Sequence, residues 1–210
     1  MASLNIDLFT DVCCPWCFVG ARRLEQALAE IGTSADVTIV HRPFLLFPAT
    51  PPEGIDIAAM LRERYGAADA RQMFAPAEAA ARETGFALDL TKQPRAYSTV
   101  AAHTLIRHAD ARGIGRALAD ALYVAHFIDA KNVSQPDVLA GVSEAHGFTP
   151  AEARRIVEDE GELTITRQDA GRAGALGIRG VPHAVFNGRI ALSGAQPLAA
   201  FRQAVSASLA

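Results

Sequence analysis

The sequence predicts an α/β domain that is interrupted by an all-helical insertion. The chain opens with a strand–helix–strand pattern, continues with a long alanine-rich stretch of helical periodicity, and closes with a helix, two strands and a helix. Its 210 residues leave room for one or two domains at about 150 residues each. We therefore assign residues 1–50 and 165–210 to a split α/β domain and residues 51–164 to the insertion.

The opening of the chain is predicted to be a β-α-β unit with parallel strands. Residues 4–9 alternate between apolar and polar side chains, as a strand does. Residues 15–31 place apolar side chains along one helical stripe, and Gly32 ends that helix. Residues 37–46 are rich in β-branched residues, and Pro43 indicates where this second strand leaves the sheet.

The middle of the chain, from Gly54 to Glu160, is predicted to be helical with no convincing strand. The candidate helices are residues 56–65, 69–85 with a kink near Pro76, 95–112, 115–131, 135–146 and 150–160. Ser134 and Thr149 are the expected N-caps of the last two helices. Because a stretch of this length is too long for a loop, we expect a helical subdomain.

The end of the chain returns to β structure. We expect a helix at about 166–176, followed by two strands at 180–186 and 189–193. Asn187-Gly188 between these strands is a strong signal for a tight hairpin turn. A terminal amphipathic helix completes the domain.

Composition and charge exclude several classes of protein. The net charge is −3 and the isoelectric point is about 6.1, which argues against a basic nucleic-acid binder. No apolar run approaches about 18 residues, and the first residues lack the pattern of a secretory signal. We therefore expect neither a nucleic-acid nor a membrane partner, and a cytoplasmic location. Three cysteines are too few for a disulfide-rich scaffold.

The motif that carries chemistry is Cys14-Pro15-Trp16-Cys17, at the junction of the first strand and the first helix. Cys14 falls at the helix N-terminus, where the dipole and free N–H groups stabilise a thiolate. Pro15 suits the first helical position because it has no N–H. Cys17 lies on the same helical face, close enough to form a redox-active disulfide with Cys14. This pattern favours disulfide exchange, in which Cys14 attacks and Cys17 resolves.

Other uses of the two cysteines are less consistent with the sequence. A zinc site usually needs four protein ligands, and the chain has no second C-x-x-C motif. Iron–sulfur clusters need more than three cysteines. We therefore expect no metal and no tightly bound cofactor. A pair of inert, buried structural cysteines stays open as an alternative.

Three residues near the motif have two readings each. Cys13 is either a small buried side chain or a third thiol that competes for a disulfide and so modulates the pair. Trp16, the only tryptophan, either forms an apolar platform for substrate or packs against the insertion. His183 is either a packed histidine or a modulator. Four other histidines are expected to be structural or exposed: His103, His108, His126 and His146. The position of His41, at the end of the second strand, indicates no role.

Three segments together resemble the DsbA-type thioredoxin superfamily, and most closely its FrnE-like branch. They are the run DVCCPWCFVG at residues 11–20, GIRGVP at residues 177–182 and SGAQ at residues 193–196. The resemblance implies a thioredoxin fold with a cis bond between Val181 and Pro182, facing Cys14. It also implies that Val181 offers backbone hydrogen bonds to substrate and that Pro182 keeps metals and stray thiols away.

In thioredoxin-like folds, a buried carboxylate beneath the resolving cysteine can relay protons. Asp7 lies within the first strand with the alternation of an outward-facing residue, and Glu25 follows Cys17 in the first helix. Asp11 follows the strand directly. The pattern assigns this role to none of the three.

Two alternatives to an oxidoreductase stay open. The 2-hydroxychromene-2-carboxylate isomerases and kappa-class glutathione transferases resemble this chain in layout. They usually carry serine where Cys14 stands and an acidic residue in the late glycine loop, where this chain has Gln196. The third reading is a non-enzymatic thiol chaperone or assembly module that docks through its insertion.

The expected partner is a disulfide or dithiol substrate, which could be a peptide, a protein or a small thiol. A helical insertion over the site mildly favours small substrates. Glutathione is a candidate co-substrate, and a homodimer is a candidate assembly because the alanine-rich insertion could serve as a dimer contact.

Overall fold

The computed structural model describes residues 3–32, 36–66 and 69–210. Its strands are β1 (Ser3–Thr10), β2 (Asp36–Pro43), β3 (Ile55–Asp56), β4 (Arg95–Ala96), β5 (His183–Phe186) and β6 (Ile190–Ser193). Its α-helices are α1 (Pro15–Ile31), α2 (Ile57–Tyr65), α3 (Ala70–Glu83), α4 (Val100–Asp110), α5 (Gly115–Tyr123), α6 (Pro136–Glu144), α7 (Pro150–Glu158), α8 (Glu160–Ala175) and α9 (Leu198–Leu209). A π-helical turn, Val124–Ile128, follows α5.

The main sheet has the strand order β2-β1-β5-β6. Strands β1 and β2 are parallel, and β5 is antiparallel to both of its neighbours, β1 and β6. Helices α2 to α7 lie in sequence between β2 and α8. The predicted α/β fold with a helical insertion is confirmed.

The alternation in β1 divides the core between the two faces of the sheet. Leu4, Ile6 and Leu8 are buried together with residues of α1 and α9. Phe9 points to the other face and packs with Ala173 of α8. Both faces of β1 are therefore covered, which holds the strand at the centre of the molecule.

Buried side chains of α4 to α7 form a second hydrophobic core, to which Val12 in the turn before α1 also contributes. Helix α3 packs against α1 and contributes to the core of the α/β domain instead. Among the described residues, no helix is long and apolar enough to cross a membrane.

The insertion is not wholly helical, contrary to the prediction. Strands β3 and β4 pair antiparallel over two residues each. Because Arg95 and Ala96 belong to this small sheet, helix α4 begins at Val100 rather than near residue 95. The helix predicted at 115–131 changes to π-helical hydrogen bonding after Tyr123.

The predicted boundary between α7 and α8 was wrong. Helix α8 begins at Glu160, earlier than the expected start near residue 166. The cause is Asp159, whose carboxylate accepts hydrogen bonds from the N–H groups of Gly161 at 2.8 Å and Glu162 at 3.1 Å. This residue caps the second helix, whereas the prediction placed it inside the first.

One of the two predicted N-caps is also wrong. Thr149 caps α7 as expected. Helix α6 has Gln135 at its N-cap, with no side-chain capping bond. Ser134 is engaged elsewhere, since its N–H and O–H groups both donate to the side chain of Asn132, at 2.9 and 2.6 Å.

Helix α1 approaches the loop before β5 closely at Gly20. A Cβ atom at this position would lie 2.7 Å from Cγ of Pro182 and 3.2 Å from its Cβ. These distances are shorter than van der Waals contact, and the pyrrolidine ring has little freedom to move. Only a residue without a Cβ atom, which is glycine, therefore allows α1 to pack this closely against Pro182.

We predict that Gly20→Ala lowers the free energy of unfolding by about 1–3 kcal/mol, the typical cost of overpacking a core. The matched control is Gly141→Ala in α6, where a Cβ would meet no atom of the described residues within 4 Å. This control should be neutral or stabilising by up to about 1 kcal/mol, because alanine favours helix. Urea unfolding of both variants measures the difference, and equal effects would contradict the prediction.

A charged cluster joins α1 to α5. The guanidinium of Arg22 lies 2.9 Å from Glu25 and 3.3 Å from Asp120. Burial raises the pKa of Asp120 to about 7, helped by a hydrogen bond and charge repulsion from Glu25 and opposed by Arg22. Asp120 therefore binds a proton more tightly in the folded chain than its ordinary value of 3.8 implies.

This raised pKa makes stability depend on pH. The stabilising proton on Asp120 is fully present below about pH 4 and is lost as the pH rises through about 7. We predict that Asp120→Asn removes this loss of stability, which is on the order of a few kcal/mol. Asp137→Asn is the control, because Asp137 is mostly exposed and pairs with Arg154. Unfolding free energies at pH 4 and pH 8 test this, and parallel profiles for wild type and Asp120→Asn would contradict it.

Candidate functional site

The turn between β1 and α1 positions the two cysteines of the C-x-x-C motif. Cys14 is the N-cap of α1, and Pro15 is the first helical residue. The N–H group of Cys14 donates to the carbonyl oxygen of Asp11 at 3.0 Å, which closes the turn. The N–H group of Cys17 donates to Sγ of Cys14 at 3.3 Å. A sulfur at this position receives the free N–H groups and the dipole of the helix start.

The two sulfurs differ in their surroundings. Cys17 is completely buried, and the N–H group of Asp11 points at its Sγ at 3.5 Å. Burial raises the pKa of Cys17 well above its ordinary value, and the neighbouring Cys14 raises it further. Cys14 is 4% exposed and lies at the wall of a cavity. Cys14 is thus the sulfur that an incoming molecule can reach, while Cys17 stays protonated behind it.

The loop before β5 faces Cys14. The Val181–Pro182 peptide bond is cis. The thiol of Cys14 donates to the carbonyl oxygen of Val181 at 3.9 Å. The carbonyl oxygen of Pro182 accepts from the N–H group of Gly194 at 2.8 Å, which ties this loop to the end of β6. The Val181-Pro182 segment, which the resemblance implied, therefore lies beside the C-x-x-C motif in the structure.

A cavity of about 380 Å³ opens between the C-x-x-C turn and the insertion. Its walls come from the turn, from the segment after β2, from α2 and α3, and from the π-helical turn. The lining residues are Cys13, Cys14, Pro15, Trp16, Leu46, Phe47, Ile57, Met60, Leu61, Arg64, Tyr65, Met73, Phe74, Ala77, Leu90, Gln93, Arg95, Ala96, His126, Phe127 and Val181. A cavity of this size and apolar character fits a small organic molecule.

The other residues that the sequence singled out near the motif have different surroundings in the structure. Trp16 is 38% exposed and lines the cavity, so it belongs to the surface that a ligand would meet. Cys13 also lines the cavity, but burial and the charge of Asp11 raise the pKa of its thiol well above the ordinary value. His183 lies outside the cavity lining within the described residues and packs edge-on against Phe9.

Sequence reasoning did not assign a role to Asp11, which the structure places at the centre of the site. Its carboxylate is buried and accepts hydrogen bonds from the N–H groups of Leu46 at 2.7 Å and Cys13 at 3.5 Å. His103 Nε2 lies 3.5 Å from the same carboxylate. Burial by itself would raise the pKa of Asp11, but His103, Thr99 and Leu46 outweigh burial and lower it.

The sequence also classed His126 as structural or exposed, whereas it is a buried wall of the cavity. It lies on the π-helical turn, is 2% exposed, and its Nδ1 atom has no hydrogen-bond partner in the described structure. Burial lowers the pKa of His126 to about 4, so the ring is neutral at pH 7. Gln93 holds this turn by donating to the backbone carbonyls of His126 and Lys131, both at 3.2 Å. Single π-helical turns are frequent at functional sites.

The three cysteines are free thiols. Within residues 3–32, 36–66 and 69–210, no group of three or more His, Cys, Asp or Glu side chains is arranged to hold a metal ion.

A sheet of this order, a C-x-x-C pair at the start of its first helix and a helical insertion together define a protein of the thioredoxin class. Residues 5–206 match the model of the DSBA-like thioredoxin domain, and the chain belongs to that family. A comparison with curated protein sequences found no significant match.

Solved structures extend this assignment. A probable DsbA oxidoreductase from Streptomyces coelicolor is 31% identical, with a TM-score of 0.83 over 98% of this chain and 89% of that one. The cytosolic disulfide reductase DsbM from Pseudomonas aeruginosa, solved with glutathione, is 20% identical, with a TM-score of 0.67 over 98% of both chains. A 2-hydroxychromene-2-carboxylate isomerase is 15% identical, with a TM-score of 0.72 over 97% of this chain and 95% of that one. The last two show a shared fold.

We predict that Asp11→Asn lowers the free energy of unfolding by about 1–3 kcal/mol at pH 7, because the amide keeps the shape but loses the charge-assisted hydrogen bonds. The pKa of Asp11 is lowered in the folded chain. The contribution of its charge is therefore present above its ordinary value of 3.8 and is lost as the pH falls through the folded pKa.

Asp7→Asn is the matched control for this prediction, since Asp7 lies on β1 with a half-exposed ion pair to Arg42. Exposed pairs contribute about 0–1 kcal/mol. Urea unfolding at pH 7 and at acid pH measures both variants. An Asp11→Asn protein as stable as Asp7→Asn at pH 7 would show that the carboxylate does not hold the turn.

Proposed function

We propose that this protein is a thiol–disulfide oxidoreductase that exchanges disulfides through Cys14 and Cys17. The observation that carries the proposal is the N–H group of Cys17 donating to Sγ of Cys14 at 3.3 Å, at the start of α1 and beside an open cavity. This arrangement stabilises negative charge on Cys14 and keeps the second thiol within reach.

The proposed reaction has two exchange steps. The thiolate of Cys14 attacks one sulfur of a substrate disulfide, so that a mixed disulfide forms and the other sulfur leaves as a thiolate. Cys17 then gives up its proton and attacks Sγ of Cys14, which releases the second substrate thiolate and leaves a Cys14–Cys17 disulfide. The two protein thiols are oxidised by two electrons and the substrate disulfide is reduced; the reverse steps oxidise a dithiol.

The surroundings supply the remaining parts. Val181 presents its carbonyl oxygen to Sγ of Cys14, and we propose that its backbone aligns the substrate chain or disulfide there. Pro182 packs against α1 beside the pair, and we propose that it limits access by metals and other thiols. Trp16 gives the cavity mouth an exposed aromatic face.

Glutathione is proposed as the thiol that returns the oxidised pair to the dithiol form. The fold is shared with a disulfide reductase solved with glutathione. A glutathione-dependent isomerase or transferase is less well supported, because Cys14 stands where those relatives usually carry serine. In addition, the side chain of Gln196 donates to the carbonyl oxygen of Ser193 at 2.7 Å, so one of its two amide N–H groups is already engaged.

Location and domain organisation are part of the same proposal. The shared fold with a reductase described as cytosolic supports a cytoplasmic location, where the thiol pool favours the dithiol form of the pair. We propose that residues 1–50 and 165–210 form the redox domain and that residues 51–164 form the insertion. The second hydrophobic core, which is built mainly from α4 to α7, supports this division.

We predict that Cys17→Ala traps a mixed disulfide at Cys14, because the resolving thiol is missing, and that Cys14→Ser traps none. Incubation with a disulfide peptide under mild oxidation, followed by mass spectrometry, measures the adduct. Cys13→Ser is the control and should retain both trapping and turnover, because the buried Cys13 thiol stays protonated.

Recovery of no adduct on the Cys17→Ala protein would count against exchange chemistry. Retained activity after both motif cysteines are changed to serine would favour the chaperone reading instead. A change in trapping caused by Cys13→Ser would show that the third thiol takes part.

A further inference from the structure

The charges that line the cavity beside Cys14 are all of one sign. Among the described lining residues, Arg64 and Arg95 carry charge and no Asp or Glu is present. Neither arginine makes an ion pair within residues 3–32, 36–66 and 69–210. The guanidinium of Arg95 donates to the backbone carbonyls of Glu53 and Gly54, at 3.2 and 3.4 Å. Both cations are therefore available to an anionic ligand.

The other walls of the cavity are mostly apolar. Trp16, Phe47, Tyr65 and Phe74 line it with aromatic side chains, and the methionines of α2 and α3 add flexible thioethers. Aromatic and thioether walls favour a flat, polarisable ligand.

We propose that this cavity binds a small aromatic disulfide that carries a carboxylate, with its carboxylate at Arg64 and Arg95 and its ring between the aromatic walls. The inference rests on the proposed exchange at Cys14 and specifies the substrate of that site. A folded protein disulfide fits this site less well, because Cys14 is 4% exposed and is reached through the cavity.

The exchange balances within the reduced protein. The Cys14 thiolate attacks the aromatic disulfide and releases one aromatic thiolate. Cys17 loses its proton, attacks Cys14 and releases the second aromatic thiolate. One substrate disulfide is reduced while the Cys14–Cys17 disulfide forms, so a single turnover needs no other reductant.

Stopped-flow single turnovers with the full-length reduced protein test the substrate class. The probes are dithiobis(nitrobenzoate), which is aromatic and carries carboxylates, dithiodipyridine, which is aromatic and neutral, and glutathione disulfide, which is anionic without an aromatic ring. Each rate is divided by the rate of the same probe with free N-acetylcysteine, which removes differences in intrinsic reactivity. Cys14→Ser identifies the part of the signal that comes from Cys14.

We expect the normalised rate to be highest for dithiobis(nitrobenzoate). Arg64→Met and Arg95→Met should each lower it about tenfold, the value of one charge-assisted hydrogen bond, with dithiodipyridine unaffected. Arg189→Met removes the same charge from the exposed turn before β6 and should change no rate more than about twofold.

The outcomes separate the two proposals. If all probes react at Cys14 with equal normalised rates, or if glutathione disulfide reacts fastest, the aromatic carboxylate is overturned and the oxidoreductase stands. If no probe reacts faster with wild type than with Cys14→Ser, the proposed oxidoreductase function itself fails.

Discussion

The buried carboxylate of Asp11 is the interaction on which the geometry of the site depends. It accepts hydrogen bonds from the N–H groups of Cys13, just before the motif, and of Leu46, beyond the end of β2. It therefore ties the turn that begins α1 to the segment that leads into the insertion. A buried charge is tolerated only while its partners stay in place. Because Cys14 caps α1, any movement of this turn would displace the sulfur and its hydrogen bond from Cys17.

The insertion determines what can reach the sulfur, whereas the α/β domain determines what the sulfur can do. Sheet and α1 alone would leave Cys14 at an open helix start. Helices α2 and α3 and the π-helical turn close that opening into a cavity of about 380 Å³. His126 belongs to this wall, and Gln93 fixes its turn through two backbone carbonyls. The proposed chemistry and the proposed selectivity thus lie in different parts of one chain, which is common when one fold serves many substrates.

Local patterns in the sequence were sufficient for most of the fold. Period-two alternation located β1, the apolar stripe located α1, and Asn187-Gly188 located the hairpin, because each depends on neighbouring residues only. Asp11 and His103 are brought together by tertiary contacts across the insertion. Their spacing along the sequence therefore does not predict that the two side chains lie close together. The π-helical turn around His126 was read as ordinary helix because its apolar pattern barely differs from that of an α-helix. The N-cap role of Asp159 is not predictable from the sequence, because an acidic residue at an N-cap and one inside a helix fit the same local pattern.

The unequal burial of the two sulfurs gives the proposed exchange its order. Burial and the nearby Cys14 raise the pKa of Cys17, so Cys17 does not compete for an incoming disulfide while Cys14 is free. Once Cys14 is joined to substrate, its negative charge is gone, and the repulsion that helped to keep Cys17 protonated disappears. Loss of the Cys17 proton then becomes easier at the moment when its attack is productive. The same repulsion from Cys14 therefore suppresses the attack of Cys17 before the first step, and its loss permits that attack in the second.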